Sequence, residues 1–447
     1  MSMMNNQEHN YFNELADFLT TQLQGEEVYT SWLSGEKSDF VRFNQGQIRQ
    51  PGHVRQYGFT VDLISGNKHA KATIRLSEDR ETDQARLNNV LKDLREKLPF
   101  LPEDPHLLYA EDVQSTENEQ PSDLPSAHEA VDDILSLGSD TDIVGIYAQG
   151  QLHRGFANSL GQRNWFSSAN FNFDWSLYSH GDKAVKCSYA GLSWDKAILA
   201  RKLEEGKSLL PVIGKEAKSI EPGKYRVYLA PAALHQIIEL LCWGGFSRKA
   251  QETKQSPLLK LMDGLESLSP AINIIENTKE GIGPGFESSG FIKKPEVCLV
   301  KEGQFVSALS SPRSFREYGG NNDGANSSES PEAIEVKAGK LPSTSVLEQL
   351  GTGLYVSNLW YLNYSDATSC RMTGMTRFAT LWVEDGKIVA PLNVMRFDES
   401  IYRALGSNLL GLTDEQEFVF DPGTYFERSC ASAKLPGALI DDFCFTL

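Results

Sequence analysis

The sequence predicts an α+β protein in which helices pack on antiparallel sheets. Apolar residues recur at helical spacing over 10–24 (Phe12, Leu15, Ala16, Leu19, Leu23) and again over 82–98 (Ala85, Val90, Leu91, Leu94, Leu98). Between these stretches the period drops to two. Phe59, Val61 and Leu63, then Ala72, Ile74 and Leu76, alternate with other residues on either side of an "SGN" turn. Helix, strands, helix, followed by long aromatic and β-branched runs punctuated by Gly, Asn and Pro, is the pattern of antiparallel sheets covered by helices.

Taken in order, the elements fall into four segments. Residues 1–110 form an N-terminal α+β unit. The polar, Pro-containing stretch 111–126, "EDVQSTENEQPSDLPS", reads as a linker over the surface. Residues 127–220 form a strand-rich middle unit, with a helix at 127–137, an aromatic meander, and a second helix near 195–208. Residues 221–447 form a β-rich C-terminal unit. It opens with a turn, a strand at 224–230 and a helix at 231–243, with Pro231 in the helix's first turn and Gly244-Gly245 at its end. Beyond this lie Gly- and Pro-punctuated strands and a polar loop at 318–331.

Charge and composition exclude several functions. Sixty acidic residues against 43 Lys and Arg give a net charge of −17, which opposes the phosphate contacts that dominate nucleic-acid affinity. No nucleic-acid partner is expected, and the aromatic group Trp165, Phe166, Phe171, Phe173, Trp175 and Tyr178 reads as sheet core instead of base-stacking surface. No run of 18 apolar residues marks a membrane span. The opening "MSMMNNQEHNYFNELADFL" lacks the order of a secretory leader. The six cysteines include no C-x-x-C pair, so a reducing cytoplasm is expected. "GIGPGFESSGF" and "YGGNNDGANSSES" lack phosphate-loop spacing, and no G-x-S-x-G elbow is present.

The stretch "LHQIIELLCWGGF" (234–246) carries the functional question. Leu234, Ile237, Ile238 and Leu241 make a core stripe, while His235 and Glu239, one turn apart, share a face beside it. An H-E-x-x-H zinc peptidase needs two imidazoles on one helix face and a Glu to activate the metal-bound water. Here the second position is Gln236, and His235 is the last of the eight histidines. Gln is neutral at any pH and cannot serve as general base. Two readings stay open: a hydrogen-bonded His–Glu pair, or a zinc site using His235, Glu239 and a distant thiolate such as Cys370. The alternating run "GLYVSNLWYLNY" (353–364), which contains Asn358, reads as sheet. It also has the character of a strand edge that an extended peptide can join.

Three further stretches carry a resemblance. "SDFVRFNQGQIRQPGHVRQYGFTVDLISGNKHAKATIRL", "GFANSLGQRNW" and "GLYVSNLWYLNYSD…TGMTRFATLWVEDGKIVAPLNVMRFDESI" make most of the chain similar to the TldD/PmbA (TldD/TldE) peptidase family, once described as modulators of DNA gyrase. The family's catalytic TldD-type subunit carries H-E-x-x-x-H on a helix, with a downstream Cys completing a zinc site. His235 matches the first His, Gln236 and Leu240 occupy the Glu and second His positions, and Cys370 stands for the Cys. The resemblance implies a cytoplasmic peptidase acting on unfolded or extended peptides inside a dimer, in which the PmbA or TldE subunit lacks the zinc motif. This chain is accordingly expected to be a non-catalytic, metal-free, peptide-binding subunit, as a homodimer or paired with a TldD-type catalytic subunit. Its expected cleft residues are His235, Gln236, Glu239, Asn358 and Cys370. The alternative is a divergent zinc-dependent metallopeptidase with ligands His235, Glu239 and Cys370.

Overall fold

Two antiparallel sheets, each covered by helices, make up the chain, as expected of an α+β protein. The computed structural model describes residues 6–446, so the first five residues of the stretch read as lacking a leader lie outside the description. Strands β1 (Val28–Asn44), β2 (Gln47–Ser65), β3 (Lys68–Arg75), β4 (Thr116–Gln120), β5 (Asp142–Asn158), β6 (Arg163–His180) and β7 (Lys183–Gly191) form the first sheet. Its order is β3-β2-β1-β5-β6-β4, with β7 also on β6. The β1–β2 hairpin turns on Gln45 and Gly46, both left-handed at φ +54° and +65°, as a two-residue turn matched to strand twist requires.

Helices α1 (Asn6–Gln22) and α2 (Arg80–Lys97) cover β1–β3, burying Phe12, Leu15 and Leu19 with Leu87, Leu91 and Leu94 against Phe59, Val61 and Leu63. These are the residues whose spacing announced the elements. α2 starts where Asp79 accepts a hydrogen bond from the Thr82 N–H, and it carries Glu81 and Asp83 in its first turn and Arg95 and Lys97 in its last, complementing the helix dipole. Helices α3 (Ala127–Leu137), closed at its start by a Ser126–Glu129 capping box, and α4 (Lys196–Ile213) cover the other half. There they bury Phe171, Phe173, Trp175 and Leu177.

The sheet draws on three of the segments read from sequence. β1 pairs with β5 from Thr30↔Asn158 to Phe43↔Gly145, so strands of 1–110 and of 127–220 share one sheet. The stretch 111–126 holds β4, which runs parallel to β6 from Thr116↔Asn164 to Gln120↔Ser168. Alternation reports which face of a strand is buried, not which strand lies beside it, and the polar edge strand Thr116–Gln120 has no buried face to report.

The second sheet comprises β8 (Gly223–Leu229), β9 (Ile274–Glu276), β10 (Val297–Lys301), β11 (Gln304–Phe305), β12 (Ala333–Val336), β13 (Gly353–Asp366), β14 (Arg371–Glu384), β15 (Lys387–Pro391), β16 (Arg396–Ser400), β17 (Leu409–Phe420) and β18 (Ser432–Phe445). β8 pairs in parallel with β13 and antiparallel with β18, closing the ring β18-β16-β14-β13-β8. Helix α5 (Pro231–Leu241) packs on β13 and β18. Its Leu234, Ile237, Ile238 and Leu241 are fully buried, each worth about 1.5–3 kcal/mol, which fixes the helix's rotation and so the direction of its remaining side chains. Residues 319–332 contain no helix or strand. No helix among the described residues is long and apolar enough to cross a membrane.

The two sheets are joined by Phe156 and Phe166 packing on Phe286, and by Gln162 Nε2 donating to the Gly290 carbonyl at 2.7 Å. Within the second unit, Glu276 is buried, and its carboxylate accepts the backbone N–H groups of Glu332 and Ala333. Loss of hydration outweighs those hydrogen bonds and raises its pKa to about 7. The folded carboxyl therefore holds its proton more tightly than the unfolded one. Stability from this group is full below pH 4.5, falls as pH rises to 7, and is then lower by about 3 kcal/mol. Thermal unfolding of Glu276→Gln against the parent should give a Tm advantage for the variant that is larger at pH 8 than at pH 5. An advantage independent of pH contradicts the assignment.

Candidate functional site

The turn from β8 into α5 sets the site. Pro231 at the first helical position fixes φ where an N–H would have no partner. With the helix's apolar side locked into the core, His235, Gln236 and Glu239 face a cleft of about 810 Å³. Across it stand Lys186 of β7, Lys202 and Glu205 of α4, and Glu417 of β17 with Asp421 just beyond. Asn358 and Trp360 of β13 and Arg377 of β14 line the remaining wall. The cleft thus lies between the two sheets. Lys186 pairs with Asp174, and Lys202 with Glu417 at 3.4 Å.

Burial and charge shift the two titratable groups of α5 in opposite directions. Burial lowers the His235 pKa from its ordinary value, and the charge of Asp421 only partly opposes this. Glu239 is shifted the other way. Loss of hydration and the negative charge of Asp421 raise its carboxyl, against a hydrogen bond from Gln236 Nε2 to Oε2 at 3.1 Å. Through that bond Gln236, a neutral carboxamide, orients its neighbour.

Four of the five residues expected from sequence, His235, Gln236, Glu239 and Asn358, line this one cleft. Cys370 does not line it. It is fully buried in the main core at φ +48°, and burial alone raises its thiol pKa to about 12. Tyr364, whose hydroxyl donates to the Leu240 carbonyl at 2.9 Å, belongs to the strand leading to it. Leu240, at the position of the family's second His, is 1% exposed and belongs to the core. Among the described residues no three His, Cys, Asp or Glu side chains converge so as to hold a metal. The structure therefore does not bring His235, Glu239 and Cys370 together: the first two line the cleft, while Cys370 lies in the core. Arg377, Trp360 and Asp421 were not read from the sequence. Asp421 alone had a signal, in the turn-forming "DPG".

Together these features define a two-sheet α+β protein with a helix-floored cleft between its sheets. Residues 222–446, half of the chain, match the family described as PmbA/TldA metallopeptidase C-terminal domain, and the chain belongs to the PmbA/TldD peptidase family. TldE from Thermococcus kodakarensis is 12% identical with a TM-score of 0.76, the comparison covering 98% of this chain and 100% of that one. A Thermotoga maritima protein described as a candidate modulator of a DNA gyrase is 14% identical with a TM-score of 0.74, over 98% of this chain and 100% of that one. A Bacteroides thetaiotaomicron protein described likewise is 13% identical with a TM-score of 0.74, over 100% of both chains. At such identities the likeness shows a shared fold. No curated protein sequence matches the chain.

The placement of Cys370 is directly checkable. In the native protein, alkylation by iodoacetamide at pH 8 followed by peptide mapping should leave the Cys370 peptide unmodified, while denaturant should make it react. Native labelling as fast as that of a small free thiol would contradict its burial.

Proposed function

We propose that the chain is a peptide-binding, non-catalytic member of a peptidase assembly, receiving extended or unfolded peptide in the cleft floored by α5. The observation that carries this reading is the edge of β13. Up to Val356 the strand is paired on both sides, with β14 and with β8. From Ser357 onward it pairs only with β14, because β8 ends at Leu229 and the chain turns into α5. Ser357 to Trp360 line the cleft. An open strand edge offers a row of backbone donors and acceptors to an extended chain, whose alternate side chains then meet the cleft walls.

Hydrolysis is assigned elsewhere. Gln236 cannot take a proton from water, and the residues of this cleft do not fit a zinc ion. Family membership supports a peptide as ligand, and the fold shared with TldE motivates a TldD-type chain as catalytic partner, with a second copy of this chain as the alternative. Six free thiols are in keeping with action in the cytoplasm.

Tag-free protein should raise the fluorescence anisotropy of a labelled, unstructured casein fragment without cleaving it, with or without added zinc, and should retain no zinc through gel filtration. About one zinc per chain, lost together with peptide cleavage in His235→Ala, would overturn the proposal.

A further inference from the structure

The β13–β14 hairpin presents groups to the cleft that the chain itself does not satisfy. Asn358 and Arg377 are partners across the two strands, and the Arg377 guanidinium lies 3.7 Å from the ring centroid of Trp360. The register slips beside this pair, between Val356 and Asn358, and Phe378 adopts φ +56°, left-handed backbone that costs a phenylalanine about 1–3 kcal/mol. In a regular strand, Arg377 and Phe378 would face opposite sides. At this bulge both line the cleft, as do the consecutive Ser357 and Asn358.

Among the described residues Arg377 has no carboxylate partner, whereas the cleft's two lysines are both paired. Ser357 is 9% exposed, and its hydroxyl has no hydrogen-bond partner among the described residues; nor has the buried Oδ1 of Asn358. A guanidinium stacked on an indole has its plane fixed and its N–H edge free, the geometry that takes a carboxylate through two parallel hydrogen bonds. Buried polar atoms left without partners cost free energy that a ligand's complementary groups recover.

We propose that Arg377, stacked on Trp360, forms with the Ser357 hydroxyl a carboxylate-binding subsite for an extended peptide. Arg377 and Ser357 donate to the carboxylate, and Asn358 Oδ1 accepts a backbone N–H of the same peptide. The carboxylate is that of the peptide's C-terminus or of an acidic side chain. The subsite deepens the peptide-binding reading above and, for its peptide ligand, rests on it.

The test uses the full chain and three labelled alanine-rich hexapeptides at low salt: a free acid, its C-terminal amide, and an amide with one central Glu. N-acetylglycine serves as a minimal carboxylate that needs no strand edge. The free acid, the Glu-containing amide, or both should bind about tenfold tighter than the neutral amide, and Arg377→Gln should abolish that advantage, so that the three peptides bind it alike. The pattern among the three peptides tells a terminal carboxylate from a side chain. Equal affinities for all three in the parent chain would overturn the subsite and leave peptide binding intact. If no peptide binds but N-acetylglycine does, and Arg377→Gln loses it, the peptide reading falls and the subsite stands. Failure of N-acetylglycine and of all three peptides would remove both. Arg377→Lys, which keeps the charge but not the fork, should recover only part of the advantage, and full recovery would contradict the bidentate arrangement.

Discussion

One buried arginine holds the cleft together. Arg428, 5% exposed, sits on the segment between β17 and β18 yet makes its hydrogen bonds to the first sheet: to the Ser38 hydroxyl, at 3.3 Å, and to the backbone and side chain of Asn170. Its own N–H donates to Glu36, which is 1% exposed. Burial lowers the guanidinium to about 10, so it stays charged at neutral pH, with Glu36 as its nearby opposite charge. Removing the guanidinium would leave the buried acceptors of Asn170 without their donor, at a cost of about 1–3 kcal/mol for such a group. Next to it, Glu427 accepts from the Ser34 hydroxyl at 2.7 and 2.8 Å, adding a second tie from the same segment.

The chemistry of the site follows from where that segment is pinned. It begins with Asp421, whose charge faces both His235 and Glu239 and moves both carboxyl and imidazole toward their protonated forms. Burial decides the outcome for His235, which remains lowered. The cleft therefore has a carboxylate-bearing side at the α5 helix and a cationic one at Arg377. Gln236, at the motif position, donates a hydrogen bond to Glu239.

The sequence made the helices legible because their apolar stripes are continuous. α1, α2 and α5 each have a buried face at regular spacing, and three of the five expected cleft residues followed from orienting α5 alone. Cys370 was misplaced because it was assigned from the family resemblance, and nothing in the polar run "DATSCRMT" reports which way its side chain points. Its left-handed turn in fact drops the side chain into the core. Arg377 and Trp360 were invisible for a different reason. Their meeting depends on a bulge at Phe378 that no Gly or Asn marks, and on pairing between strands, which alternation does not report. The open half of β13 was half-legible: "GLYVSNLWYLNY" shows the strand, but only the end of β8 at Leu229 shows where its edge becomes free.

That edge is the centre of the functional account, and amide hydrogen exchange reads it directly. On saturation with an unstructured peptide, backbone amides within Ser357–Tyr364 should slow more than those of Leu354–Val356, which are already paired on both sides. Slowing elsewhere in the chain with Ser357–Tyr364 unchanged would mean that peptide, if bound, does not lie along β13, and would contradict the account.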